Sequence, residues 1–261
     1  MNSDYKILYF DEINSTNSYL LENYNKYDDK TVAIAKKQTN GKGRMGRAWS
    51  SLDNKGLYMS ILLKASDIHN KNLENYQPLT LVTGLAVLKA IKKNYNFSID
   101  AKNHLGLKWV NDIVYNYKKL GGILVESKIL NNSAIFVVGI GININQDEAF
   151  FKKNNLSNAI SLKNITENNV DVLVFAKSII DCFNFYYNKL IDFSFKSLQD
   201  EYNKNCVNIG KFVKATSDNQ ILEGKALYVN EYGNLVVEYE NKKIAIKSNE
   251  VSIRGKNNLY Y

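Results

Sequence analysis

Residues 38–49 read Gln38-Thr39-Asn40-Gly41-Lys42-Gly43-Arg44-Met45-Gly46-Arg47-Ala48-Trp49. Gly41, Gly43 and Gly46 satisfy the G-x-G-x-x-G spacing of a dinucleotide turn, which would imply a doubly wound parallel fold. That reading needs a helix opening at the glycines, its N-terminus facing a pyrophosphate. Instead Trp49, Ser50, Ser51 and Gly56 follow, then another strand, so no helix fits and the reading fails. No Gly-Lys-Ser/Thr ends the run, which excludes a P-loop. What remains is a flexible loop carrying the cations Lys42, Arg44 and Arg47. Glycines permit close backbone approach and bare N–H groups that favour anions. The arginines can fork onto carboxylate or phosphate oxygens, and Trp49 offers an apolar lid. Taken alone, the loop reads equally well as an anion clamp or as a solvated basic turn.

Outward from this loop, strand signals flank it at Tyr5–Phe10, Thr31–Lys36 and Leu57–Leu63. Asn14, Ser15 and Thr16 offer N-cap chemistry before Tyr19, Leu20 and Tyr24 at helical spacing. Asp67–Asn75 is polar and reads as a loop. Pro78 suits the first turn of a helix lined by Leu81, Leu85 and Leu88. Further strands are expected at Leu105–Trp109, Ile113–Tyr115, Ile123–Glu126 and Ala134–Ile142, several of them nearly continuous apolar runs. Leu173, Ala176, Ile180, Phe183, Tyr187 and Leu190 recur at three- and four-residue steps, predicting a long amphipathic helix, and Phe195–Tyr202 predicts a shorter one. After Cys206 the texture changes to short alternating strands at Phe212–Thr216, Leu222–Val229, Leu235–Tyr239 and Lys243–Lys247. Turns are expected at Asp218-Asn219 and Tyr232-Gly233. The architecture expected is α+β: a catalytic domain over 1–205 with a mixed sheet, and a small β-barrel over 206–261.

Composition limits the function without choosing it. With 261 residues, 45% of them hydrophobic, the chain can bury one large core and a small one. The net charge of +8 suits nucleic acid, an acidic protein or a nucleotide equally, since the lysines are spread and not clustered. The abundance of Asn, Lys, Ile and Tyr reads as the codon bias of an AT-rich genome. No apolar stretch approaches 18 residues, and Met1–Asp11 lacks the pattern of a signal peptide. Cys182 and Cys206 read as reduced cytosolic thiols, and His69 and His104 as exposed loop residues with no ligand partner.

Two more constellations join the glycine–arginine loop. Lys108-Trp109-Val110-Asn111-Asp112-Ile113 precedes Lys119-Leu120-Gly121-Gly122-Ile123-Leu124-Val125-Glu126. Strand, turn, strand, turn, strand would bring Asn111, Asp112 and Lys119 near one another. In Val138-Gly139-Ile140-Gly141-Ile142-Asn143-Ile144-Asn145 small residues alternate with apolar ones, leaving room on one face for a flat ligand ring.

Together, and in this order, these segments resemble the biotin–protein ligase family. The family's G-R-G-R-x-G-R-x-W loop reads G-K-G-R-M-G-R-A-W here, K-W-P-N-D reads K-W-V-N-D, and K-[LV]-[AG]-G-[IV]-L-x-E reads K-L-G-G-I-L-V-E. G-x-G-[IV]-N is Gly139 to Asn143. Ser15-Thr16-Asn17 matches an early S-T-N segment, Ala159-Ile160-Ser161-Leu162 a later one, and Asn249–Arg254 the closing G-E-[IV]-S-[IL]-R. Lys42 keeps charge but loses the planar fork of the family's arginine, and Val110 replaces a proline. Lipoate and octanoate ligases, the nearest rivals, resemble R-R-x-S-G-G-G-x-V at the loop, which is absent here. A nucleic-acid binder would need neither Lys119 nor the glycine pairs.

The resemblance implies a fold like that of class II aminoacyl-tRNA synthetases with an SH3-like C-terminal barrel, and a two-step ATP-dependent reaction on biotin. ATP and biotin are the implied substrates, with Mg2+ accompanying the nucleotide and no dedicated metal cage. Lys119 is expected to bridge the biotin carboxylate and the α-phosphate, with Arg44, Arg47 and Lys42 on the phosphates. Asp112 would contact either the metal or the acceptor lysine. By resemblance, Ser15, Thr16, Asn17 and Gln38 address biotin, with backbone contacts from Gly41, Gly122 and Gly139. Asn111, Asn143 and Ala159 fall at the adenine, Arg254 at the adenylate, and Trp49 shuts out water. The implied partner is a biotin carboxyl carrier protein. The chain starts at the catalytic domain, so the ligase-only, non-DNA-binding, cytoplasmic form is expected, as monomer or homodimer.

Overall fold

The computed structural model describes residues 5–52, 54–66, 76–95, 104–216, 221–247, 252–255 and 260–261. Its chain divides into two compact units: Met1–Leu73 with Leu120–Cys182, and Glu74–Lys119 with Phe183–Tyr261. His69, the expected loop Asp67–Asn75, the turn Asp218-Asn219 and Asn249 to Val251 lie outside the described residues.

In the first unit, β1 (Lys6–Ile13), β2 (Thr31–Gln38), β3 (Gly56–Ser66), β7 (Ser133–Asn143) and β6 (Lys118–Ile129, whose first two residues, Lys118 and Lys119, count with the second unit) lie side by side in that order. β1 and β2 are parallel, while β2–β3, β3–β7 and β7–β6 are antiparallel, so the sheet is mixed. Ser15 caps helix α1 (Thr16–Glu22) by accepting a hydrogen bond from the Ser18 N–H. The helix lays Leu20 into a core of Ala33, Leu62, Ile135 and Val137. Its ordered turns stop at Glu22, so Tyr24 falls in a separate 3-10 turn, Tyr24–Lys26, and not on the helix as the spacing suggested. Two short helices, α3 (Glu148–Lys153) and α4 (Leu162–Thr166), were not anticipated; each begins at a side-chain cap, Asp147 and Ser161.

The second unit holds α2 (Leu79–Asn94), which follows Pro78 directly, and the hairpin of β4 (Leu105–Lys108) with β5 (Asp112–Tyr115). Trp109 leaves the strand expected for it and enters the hairpin turn, where the Trp109–Val110 peptide is cis. Helix α5 (Val172–Phe193) covers the long amphipathic segment; its residues to Cys182 belong to the first unit and the rest to the second. Phe195–Tyr202 divides into a 3-10 turn, Phe195–Leu198, and the start of α6 (Gln199–Asn205), rather than one helix. A separate antiparallel sheet follows, in the order β11 (Lys242–Ile246), β10 (Leu235–Tyr239), β9 (Ile221–Val229), β8 (Phe212–Thr216) and β12 (Ser252–Gly255). Among the described residues β11 and β12 are its two edges, so the sheet is open and no closed barrel is found. The Tyr232-Gly233 turn forms as expected, with Gly233 at φ +81°.

Candidate active site

The glycine–arginine segment is a miniature hairpin rather than an open loop. Trp49 N donates to Gly41 O at 2.8 Å, Lys42 bridges Ala48, and Gly43 N donates to Arg47 O at 2.7 Å. A 3-10 turn at Arg44–Gly46 closes it, with Met45 and Gly46 both at positive φ, a conformation that suits Gly46. Three residues of turn cannot supply the helix a dinucleotide site needs. Arg44 is half-buried, whereas Lys42 and Arg47 project into solvent. Gly41 has no room for a side chain: a Cβ there would lie 2.6 Å from Trp49 O.

Strand register explains what lies beneath. Ser60 pairs with Gly139 and Gly139 with Leu124; Tyr58 pairs with Gly141 and Gly141 with Gly122. Residues two apart on a strand share a face, so Ser60, Gly139, Gly141 and Gly122 clear one patch of sheet. The room that the glycines leave is taken by protein. A Cβ on Gly139 would sit 2.3 Å from Asn17 Oδ1, and one on Gly141 would sit 2.7 Å from the Trp49 ring. Around Asn17 runs a buried polar chain. Gln38 Oε1 accepts from Thr16 N at 2.8 Å and from Thr16 Oγ1 at 3.1 Å. The Ser60 hydroxyl lies 2.7 Å from Thr16 Oγ1 and 2.6 Å from Asn17 Oδ1. Asn17 Nδ2 donates to Leu124 O and to Glu126 Oε2. Further along β7, Asn143 Nδ2 donates to Ile160 O at 3.1 Å, tying the Ala159–Leu162 segment to the strand end. Ala159 is half-buried, and Gln146 Nε2 donates to Asn143 Oδ1.

The second unit carries a charged cluster. Asp112, 8% exposed, opens β5 after the turn that holds Asn111, and Lys119 Nζ lies 2.7 Å from Asp112 Oδ1. Tyr260 donates its hydroxyl proton to Asp112 Oδ2 at 2.5 Å. Lys108, 4% exposed, sits 3.9 Å from the same oxygen. Burial pushes the Asp112 carboxyl up. Lys119, then Lys108, then the hydrogen bonds from Lys119 and Tyr260 outweigh it, and hold the group below the usual carboxylate range. Arg254 lies within 5.0 Å of the Tyr260 ring centroid. The turn below is braced by Asn208 Oδ1, which accepts from Trp109 N, and by Gly233 O, which accepts from the indole N–H.

A sequence model of the biotin/lipoate A/B protein ligase family matches residues 9–145. The chain belongs to that family. A second match, to the C-terminal domain of biotin protein ligases, covers residues 209–254. The bifunctional ligase/repressor BirA of Bacillus spizizenii is 32% identical over 91% of this chain and 71% of that protein. A biotin–[acetyl-CoA-carboxylase] ligase of Mycobacterium tuberculosis is 32% identical over 45% of this chain and 41% of its own. Among solved structures, the biotin protein ligase of Aquifex aeolicus in complex with biotin and ATP superposes with a TM-score of 0.78. Its identity is 28%, over 96% of this chain and 99% of that one. The chain is accordingly an enzyme of the biotin–protein ligase type. No helix among the described residues is long and apolar enough to cross a membrane.

Of the residues singled out in the sequence, Ser15, Thr16, Asn17, Gln38, Gly41, Lys42, Arg44, Arg47, Trp49, Gly122, Gly139, Asn143 and Ala159 lie in the first unit. Asn111, Asp112, Lys119 and Arg254 lie in the second, where Asp112 and Lys119 form the ion pair. The sequence reading did not single out Ser60, a lone hydroxyl in the apolar run of β3, or Lys108, although its motif was quoted. Tyr260 gave no signal at all.

Proposed function

We propose that this enzyme activates biotin as biotinyl-AMP and transfers it to a lysine of a biotin carboxyl carrier protein. A biotin carboxylate oxygen attacks the α-phosphorus of ATP, the bond from that phosphorus to the β-phosphate breaks, and pyrophosphate leaves. The acceptor amine then attacks the acyl carbon, AMP leaves, and the amine sheds a proton. The observation that carries the reading is Lys119: a half-exposed ammonium anchored 2.7 Å from a buried carboxylate, on the strand that carries K-L-G-G. Two anions must meet in the first step, and preorganised charge aimed at where negative charge develops is usually the largest single contribution to such catalysis. Lys119 supplies it, and Arg44, Arg47, Lys42 and Arg254 supply charge for the phosphates.

Thr16, Gln38 and Ser60 offer alternating donors and acceptors suited to a ureido ring, with Ser15 and Asn17 holding α1 and the sheet in register. Asn143 and Ala159, joined through Ile160 O, serve the adenine together with Asn111. The Trp49 ring over Gly141 keeps water from the mixed anhydride. Mg2+ arrives with the nucleotide. Asp112 is the carboxylate suited to it, but both its oxygens are engaged by Lys119 and Tyr260, so a dedicated protein cage does not fit. Residues 1–205 form the catalytic domain and 206–261 an SH3-like module; the two separate sequence matches support this division. Two buried free cysteines support a reducing compartment, the cytoplasm. In the direct test, purified protein receives ATP, Mg2+ and either biotin or lipoate. Pyrophosphate release with biotin alone is expected; release with lipoate alone contradicts the reading.

A further inference from the structure

Asp112 is buried and must have its charge met on both oxygens. Lys119 serves Oδ1 at 2.7 Å. Oδ2 has Lys108 at 3.9 Å, too far for a hydrogen bond, and the Tyr260 hydroxyl at 2.5 Å, a charge-assisted one. The Tyr260 ring in turn lies against two cations, with Lys108 Nζ 4.6 Å and Arg254 Cζ 5.0 Å from its centroid. A phenol polarised by neighbouring cations is a stronger donor to the carboxylate.

We infer that Tyr260 is a positioning residue for the activation step: by satisfying Asp112 Oδ2 it lets Lys119 turn from Asp112 to the reacting anions. The inference rests on the role proposed above for Lys119. When Lys119 engages the biotin carboxylate and the α-phosphate, Asp112 loses its nearest cation. A buried carboxylate left short of partners is costly, and that cost would fall on the chemical step. Tyr260 and Lys108 stay behind to carry the charge. Without the hydroxyl, Asp112 grips Lys119 harder, and activation slows. Biotin binding before chemistry does not involve this exchange and stays as it was. Among the described residues, the titratable and charged groups facing Asp112 are thus Lys119 on β6, Lys108 on β4, the buried Tyr202 on α6, Tyr260 itself and, across its ring, Arg254 on β12.

The test compares the wild-type 261-residue chain with Tyr260→Phe and Tyr260→Leu in biotin-dependent ATP–pyrophosphate exchange. Biotin affinity without ATP and thermal stability are measured alongside. Tyr260→Phe keeps the ring against Lys108 and Arg254 and removes only the donor. We expect kcat to fall about tenfold in Tyr260→Phe, with KM for biotin and ATP within about twofold, consistent with loss of one hydrogen bond to a charged group. Tyr260→Leu should fall as far or further. A Phe variant equal to wild type, with only Leu impaired, overturns the inference, because packing would then be the whole role. Weakened biotin binding and a lowered melting temperature in both variants overturn it as well, as does faster exchange in Tyr260→Phe. Wild-type protein that shows no biotin-dependent exchange sinks the proposed function instead, which keeps the two failures apart.

Discussion

Among single residues, a buried carboxylate surrounded by cations, Asp112, is decisive. Asp112 titrates below the usual carboxylate range when folded. A group whose folded pKa is depressed adds stability above its unfolded value, near 4, and that stability is lost as pH falls through the folded value. Asp112→Asn is therefore expected to lower stability at pH 7 by about 3 kcal/mol, since it leaves Lys108 buried without its carboxylate. The gap from wild type should close as pH drops below about 4. Urea melts at several pH values check this; a gap that is constant with pH contradicts it. Motif reading found Asp112 and Lys119 because both sit in short local patterns, joined by a hairpin that the sequence announces. Tyr260 escaped it. Nothing in a neighbourhood of Leu259 and Tyr261 says that a phenol 148 residues from Asp112 in sequence will meet its carboxylate.

Among elements, most strands and the long helix were legible because their apolar periods are strong: β8 and β10 match the expected spans, and β9 and β11 differ by single residues. Elements held by side-chain caps rather than by periodicity were not, as α3 and α4 show. The cleared face of β7 was legible as alternation but was misread in one respect. Its space accommodates Asn17 and Trp49, brought in by α1 and by the glycine–arginine hairpin, and not simply a ligand ring. This makes Gly139 a packing site for Asn17. Gly139→Ala puts a methyl 2.3 Å from Asn17 Oδ1, and Asn17 is pinned by Ser60, Leu124 O and Glu126. We expect a strain of about 1–3 kcal/mol. It should appear as at least a tenfold rise in the biotin dissociation constant measured by calorimetry, with ATP binding unchanged; unaltered biotin affinity would count against the pocket.

For the whole molecule, the α+β class and the family were readable from the joint order of motifs, whereas closure of the C-terminal sheet was not. A barrel needs its two edge strands, here β11 and β12, to pair, and pairing of edges leaves no local trace in sequence. The segment 206–261 does more than follow the catalytic motifs. Asn208 and Gly233 hold Trp109, and Tyr260 holds Asp112. A chain ending at Asn205 is therefore expected to lose biotin-dependent pyrophosphate exchange and to melt at a lower temperature. Full activity in the shortened chain would show that these contacts are dispensable. The proposal that the Lys119 ammonium stabilises the meeting of the biotin carboxylate and the α-phosphate is put to the test by Lys119→Ala. Biotin binding and adenylate formation are measured on the same folded sample. The expected result is loss of biotinyl-AMP by at least a thousandfold, with biotin affinity within severalfold of wild type; adenylate formed at a near-normal rate would contradict the claim.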